Sequence, residues 1–296
     1  MDCPLIKEHH WEALMAQTGG ERSDGGVYGS AVAAAGWQRG AAGRADLRPI
    51  TDRMLDLAGI RPGHRVLDVA AGTGEQTLMA ARRVGPDGFV LATDIADRML
   101  AYLDETARNE GLTNVQTRLV DARLLELERD SFDAAICRLA LMLIPERHKA
   151  LTAIHRALKA GARFAAIVLS TAEKEPHISE SLAIARRHLG LLPAPFEDPG
   201  MFALGDPAVL RGAFERSGFR DVAVEIVPSS QRFASVAAAM EHRRNSLPEM
   251  RPFLERMSEA EREAVWKEIE TVIRRFEQSD GTVIVPTERL VAVGTK

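Results

Sequence analysis

Short apolar runs alternate along the chain with stretches in which apolar residues recur at helical spacing, and together they mark out strands and helices. Ile50, Met54 and Leu57 give one helical face closed by Gly59, and RPG at 61–63 reads as a turn. Val66, Leu67 and Val69 then form a short apolar run suited to a buried strand, after which Leu78, Ala81 and Val84 recur at helical spacing until Gly85 and Pro86 stop the helix. A second unit repeats this pattern: the strand FVLATD ends at Asp94, and Met99, Leu100, Leu103 and Ala107 line a helix running to Gly111. The strand VQTRLV follows, with Asp121 just beyond it, and then FDAAICRLA with a helix through Leu151, Ile154 and Leu158 that ends at Gly161. ARFAAIVLS is the fifth strand. Strands alternating with helices at this spacing predict right-handed crossovers and a parallel sheet covered on both faces.

The alternation breaks after Ser170, where the Pro-rich stretch LLPAPFEDPGMFALGDP precedes a helix through Leu210 and Phe214. FRDVAVEIV returns as a strand, one long helical stretch is expected from Ser235 to Gln278, and TVIVPTERLVAVGTK closes the chain. Within the helical stretch Val265, Ile269, Val272 and Phe276 recur among charges, as on an amphipathic helix docked by its apolar face. The polar, glycine-rich TGGERSDGG sets residues 1–47 apart as a helical N-terminal extension or lid. The expected organisation is therefore that extension, then a domain over 48–296 with cap insertions at about 171–207 and 235–280.

Composition narrows the function classes. With 46% hydrophobic and 27% charged residues, the 296-residue chain can bury a full core. A net charge of -4 without a dense Lys/Arg block lacks the footprint of phosphate-backbone binding, so no nucleic-acid partner is expected. Cys3 and Cys137 cannot make a disulfide framework and no Cys/His cluster has zinc spacing, so no metal is expected and a reducing cytoplasm is the natural setting. No apolar stretch is long enough to span a bilayer, and stable membrane insertion is not expected. A small-molecule substrate fits this profile, and a homo-oligomer is compatible with it.

The chemistry concentrates in VLDVAAGTGEQT, Val66 to Thr77, where an acid precedes a Gly-x-Gly at a strand-to-helix turn. A chain without side-chain bulk can pass close to a ligand there, and the first-turn amides of the helix face outward. A dinucleotide fingerprint would need a third glycine where this chain has Thr77. Asp68 at the strand's end would also repel a diphosphate, whereas it suits a ligand bearing an ammonium and a sulfonium, such as S-adenosylmethionine.

VLDVAAGTG, ATDIADRML, LVDA, FDAAICRLALMLIPE and ALKAGARF occur in an order and spacing by which the chain resembles the class I S-adenosylmethionine-dependent methyltransferases. The similar branch includes the ubiquinone/menaquinone-biosynthesis methyltransferases. The resemblance covers roughly 49–170, then 219–227 and 288–296. It implies a doubly wound α/β fold with a seven-stranded, mostly parallel, Rossmann-like sheet. It also implies that Asp68 holds the ligand's amino group, directly or through water, and that the turn Ala70, Gly72, Thr73, Gly74 passes under the carboxylate and ribose. Asp94 would accept both ribose hydroxyls, Ile95 and Met99 would pack on the adenine, Asp121 would accept from its exocyclic amine, Ala122 would offer a backbone amide, and Arg138 would lie beside the ligand. Ala70 replaces the first glycine of the family's turn and should be tolerated with a negative φ. The family's Pro-Gly-Gly after the fourth helix is Ala160, Gly161, Ala162 here, a looser turn that keeps its helix stop.

Methyl transfer requires alignment, exclusion of water and, for a hydroxyl or enol acceptor, loss of a proton. The site should lie beyond the carboxyl ends of the first and fourth strands, covered by the extension and the insertions. No catalytic residue is identifiable. Tyr28, Trp37, His177 and Phe202 are candidates for the substrate pocket, Phe202 because its Pro-Gly-x-Phe loop is similar to one in related methyltransferases. His188 is a further candidate base, while Glu241 to Asn245 reads as a solvated helix face. The expected function is methyl transfer to a small hydrophobic or aromatic metabolite; a nicotinamide oxidoreductase and a non-catalytic S-adenosylmethionine-binding sensor or assembly subunit are the alternatives.

Overall fold

The computed structural model describes residues 47–191, 199–246 and 248–296. Tyr28, Trp37 and the extension up to residue 46 lie outside the described residues, as do 192–198 of the first cap insertion. Within the described part, five parallel strands are β1 (Arg65–Val69), β2 (Phe89–Asp94), β3 (Val115–Leu119), β4 (Phe132–Arg138) and β5 (Leu158–Leu169). β6 (Arg220–Phe233) and β7 (Val283–Thr295) complete a seven-stranded sheet of order β3-β2-β1-β4-β5-β7-β6, in which β7 runs antiparallel to both neighbours. Strand order reverses between β1 and β4, which opens a crevice beyond their carboxyl ends.

Helices α1 (Arg48–Leu57), α2 (Glu75–Val84), α3 (Asp97–Asn109) and α4 (Arg147–Ala157) belong to the alternating part. α5 (Pro176–His188), α6 (Pro207–Arg216), α7 (Val236–Ser246) and α8 (Glu259–Arg274) follow the break. Side chains alternate across the sheet and both faces are covered, which explains the nearly continuous apolar strand runs. Val66, Val90, Ile136, Ile167 and Val291 pack with Ile50 and Met54 of α1 and Met79 and Val84 of α2. Leu67, Ala135, Phe164, Val168 and Leu290 pack with residues of α4, α6 and α8 on the opposite side. Arg83 fastens α2 to α1 through Asp52 and Asp56.

Two sequence expectations change. The helix through Leu151 stops at Ala157, because Leu158 already pairs with Phe132 and opens β5. The single helix expected over 235–278 is instead α7, a 3-10 turn at Pro248–Met250, a short helix at Arg251–Leu254, and α8. Pro248 and Pro252 disfavour continuous helix, and Ser258 restarts it through a capping box with Glu261. Among the described residues, no helix is long and apolar enough to cross a membrane.

α6 is held on the sheet by rings: Phe214 stacks on Phe164 at 5.1 Å and meets Phe219 at 5.4 Å. Gly294 leaves the room for them, since a Cβ there would come within 2.8 Å of Phe219 Cβ. Replacing the fully buried Phe214 by alanine should lower unfolding stability by about 3–5 kcal/mol in urea titration. A loss below about 1 kcal/mol would show that the cluster does not anchor α6.

Candidate functional site

The turn between β1 and α2 is built around Asp94, the last residue of β2. Its Oδ2 accepts from the Gly72 amide at 2.7 Å and its Oδ1 from the Ala96 amide at 2.9 Å. The turn is further held by the Ala71 amide donating to Thr93 O at 2.9 Å and by the Gly74 amide donating to Ala71 O at 3.0 Å. Burial raises the Asp94 carboxyl above its ordinary range, opposed by the amides of Ala96, Gly72 and Ile95. A carboxylate has about four lone-pair sites, so with one amide on each oxygen Asp94 can accept further donors from the crevice.

The glycines serve different ends. Gly74, at φ 82°, has no room for a Cβ, which would fall 2.1 Å from Leu103 Cδ1; its bareness lets α2 start against α3. Gly72, at φ 59°, would have Met99 Sδ at 3.8 Å as its nearest neighbour, so the space above it is open. Ala70 corrects a sequence expectation: its φ is +56°, not negative. An L-residue in this region is strained by about 1–2 kcal/mol. Leu139, directly after Arg138, shares φ +56°. Backbone strain thus sits at the carboxyl ends of both strands that flank the crevice.

Asp68 lies beneath the turn rather than on its face. It is fully buried, with Thr77 Oγ1 donating to Oδ2 at 2.5 Å and Gln76 Nε2 donating to Oδ1 at 3.4 Å. Burial pushes its carboxyl up to about 7, against the Thr77 and Gln76 hydrogen bonds and the charge of Arg138. Thr77, the residue standing where a dinucleotide fingerprint has its third glycine, therefore satisfies a buried acid. Arg138 closes the other wall, its Nη1 donating to Glu75 Oε2 at 2.8 Å and to Thr51 Oγ1 at 3.1 Å, which joins β4, α2 and α1. Thr51 and Glu75 escaped the sequence reading. Glu75 was open to discovery as an acid in the first helical turn beside the glycines, whereas Thr51 comes from a helix with no motif.

Ile95 is exposed at 38% and Met99 is buried, so an apolar step borders Asp94. Asp121 is committed to a forked pair with Arg123, with Nη2 to Oδ2 at 2.6 Å, and this hydrogen-bonded guanidinium holds its carboxyl below the usual range. Ala122 opens the 3-10 turn that follows. Phe202 is half-buried against the core, and its loop is tied to the segment after β4 by the Gly200 amide donating to Met142 O at 3.2 Å. His188 stands apart, paired with Glu268 at 2.7 Å. His177 is enclosed beside Glu175, with 4.0 Å between Nδ1 and Oε2.

Asp94 and the paired Glu75 and Arg138 border the turn, with the acid of Asp68 sealed beneath it. That balance opposes a pyrophosphate and accommodates a cationic ligand. The open Gly72 face, the acceptor lone pairs of Asp94 and the apolar Ile95 suit a nucleoside with a vicinal diol.

The fold is that of the class I S-adenosylmethionine-dependent methyltransferases, and residues 60–189 match the methyltransferase-domain family. Over 123 residues the chain is 37% identical to the ubiquinone/menaquinone biosynthesis C-methyltransferase UbiE of Pasteurella multocida, covering 41% of this chain and 46% of that protein. The chain thus spans about half the length of the curated relatives it matches. Two solved structures share the fold. The YcgJ protein from Bacillus subtilis has a TM-score of 0.54 and 19% identity, covering 83% of this chain and 97% of that one. The phosphoethanolamine N-methyltransferase 2 of Haemonchus contortus, in complex with S-adenosyl-L-methionine, has a TM-score of 0.53 and 20% identity, covering 84% of this chain and 52% of that one.

Two outcomes follow from the turn. Ala70→Gly should raise stability by about 0.5–1 kcal/mol, left-handed strain relieved exceeding the added unfolded-state entropy; an unchanged or lower urea midpoint would contradict it. The raised carboxyl of Asp68 gives a pH sign. The folded protein keeps a proton that the unfolded chain releases earlier, so this stability is full below the ordinary carboxyl range and is lost as pH rises toward about 7. Asp68→Asn should therefore gain roughly 1–3 kcal/mol relative to the parent between pH 5 and pH 8. A pH-independent difference would show that Asp68 is ionised throughout.

Proposed function

We propose that the chain is an S-adenosylmethionine-dependent methyltransferase acting on a small hydrophobic or aromatic metabolite by in-line transfer. The observation that carries this reading is the Asp94-centred turn at the strand switch. Similarity to a ubiquinone/menaquinone C-methyltransferase supports a quinol-like aromatic acceptor, with carbon as the methylated atom.

When bound, the cofactor supplies a methyl group activated by a sulfonium. In this reading Asp94 accepts the two ribose hydroxyls through its free lone pairs, and Ile95 and Met99 offer the adenine an apolar surface. The turn from Ala70 to Gly74 runs under the methionine carboxylate and ribose, with Thr73 on its outer bend. Asp68 acts from below, holding Thr77 and Gln76 so that α2 begins in place, and it reaches the ligand's amino group through them or through water. Arg138 orients Glu75 at the same wall. Asp121 can accept from the exocyclic amine by sharing its outer lone pairs with Arg123, and the Ala122 amide serves a ring nitrogen. The Phe202 loop forms the acceptor side.

Asp94→Ala should weaken binding of S-adenosylhomocysteine by about 1.5–3 kcal/mol in calorimetry. Unchanged affinity would remove Asp94 from the site. Incubation with isotope-labelled S-adenosylmethionine and a metabolite extract should place label on an aromatic or hydrophobic metabolite; binding without any labelled product would favour a sensor.

A further inference from the structure

A second group of polar side chains is enclosed at the same edge of the sheet as the turn. Glu175, at the N-terminus of α5, and His177, in its first turn, are 0% and 1% exposed; Arg289 of β7 and Arg243 of α7 are each 4% exposed. Glu175 Oε1 pairs with Arg289 Nη1 and accepts the Glu288 amide at 3.0 Å. Glu175 Oε2, His177 Nδ1, Arg243 Nε and Arg289 Nε are buried without hydrogen-bond partners, as is Oε1 of Gln231 on β6, whose side chain faces His177. Buried polar groups left unmet are costly, so a purely structural ion pair would be expected to close them. Register links the cluster to the crevice. Arg138 lies opposite Ile167, Ile167 opposite Val291, and Arg289 is two residues along β7 toward the carboxyl end of β5, on the same face as Arg138.

We propose that this cluster is the subsite for a hydroxyl group of the methyl acceptor, an inference that rests on the methyltransferase reading and assigns that hydroxyl to residues of α5, α7 and β7. A hydroxyl carries one donor, which suits Glu175 Oε2, and two lone pairs, which suit guanidinium Nε–H groups. An amine would meet two guanidinium charges as an ammonium, and a carboxylate would bring no proton for Glu175. Burial raises Glu175 to about 7, against Arg289, the Glu288 amide and Arg243, which suits it to exchange a proton with that hydroxyl near neutral pH. His177 stays neutral through burial, with Arg243, Arg289 and His242 acting in the same sense, and Glu249 balances Arg243 from the Pro248–Met250 turn.

The test is calorimetric titration of the full chain, saturated with S-adenosylhomocysteine, by 2-naphthol, naphthalene and 2-naphthoate. The proposal expects 2-naphthol to bind at least about tenfold more tightly than the other two, the scale of one hydrogen bond to a charged group. It expects Glu175→Gln and Arg243→Met to abolish this preference with S-adenosylhomocysteine affinity unchanged. Arg243→Met leaves the Glu175–Arg289 pair in place, so it decides the matter if Glu175→Gln does not fold. Equal binding of the three probes, or a preference surviving in a folded variant, overturns the subsite. Absence of S-adenosylhomocysteine binding in the parent protein overturns the methyltransferase reading instead.

Discussion

The geometry of the crevice depends on one carboxylate receiving two backbone amides. Asp94 ends β2 and ties to itself both the glycine turn that follows β1 and the start of its own helix. This junction brings the tips of two strands and the N-termini of two helices to one place. Gly74 then lets α2 lie against Leu103 of α3, and Asp68 is sealed below by Thr77 and Gln76. Removing the side chain of Asp94 would leave the Gly72 and Ala96 amides to find other acceptors, loosening the surface on which a ligand would rest.

Charge at this junction separates two uses of a common fold. Nucleotide sites on open α/β sheets share the strand-to-helix turn, but a pyrophosphate needs unopposed donors. Here the surroundings are dominated by carboxylates, and Arg138 is neutralised by Glu75. The same turn geometry therefore favours a nucleoside whose charge is positive near the reacting atom. In the later half of the chain, where strand-helix alternation breaks, α5 packs on α8 and its start is tied to β7 by Glu175 and Arg289.

Much of the architecture was legible because its signals are local. Short, nearly continuous apolar runs marked the parallel strands, and the glycines and prolines between them marked the turns; FVLATD matches β2 residue for residue. Asp94 could be singled out because an acid ending a strand beside a glycine turn has few other uses. Long-range packing was not legible. Ala70 takes a left-handed φ imposed by the hydrogen bonding of the turn, Leu158 is drawn from helix into strand by Phe132, and Asp121 is captured by Arg123. The enclosed Glu175, Arg243 and Arg289 come from three separate elements, and their charges looked like surface positions in the sequence. His177 was noticed only as a lone histidine; its meaning comes from the residues the fold sets around it.

The central claim is that the crevice beside Asp94 takes a sulfur nucleoside and not a dinucleotide. Thermal unfolding of the purified chain with S-adenosylhomocysteine or with NAD, at matched concentrations, tests this most directly. The account predicts a concentration-dependent rise in Tm with S-adenosylhomocysteine and none with NAD. Stabilisation by NAD alone, or by neither ligand, would contradict it.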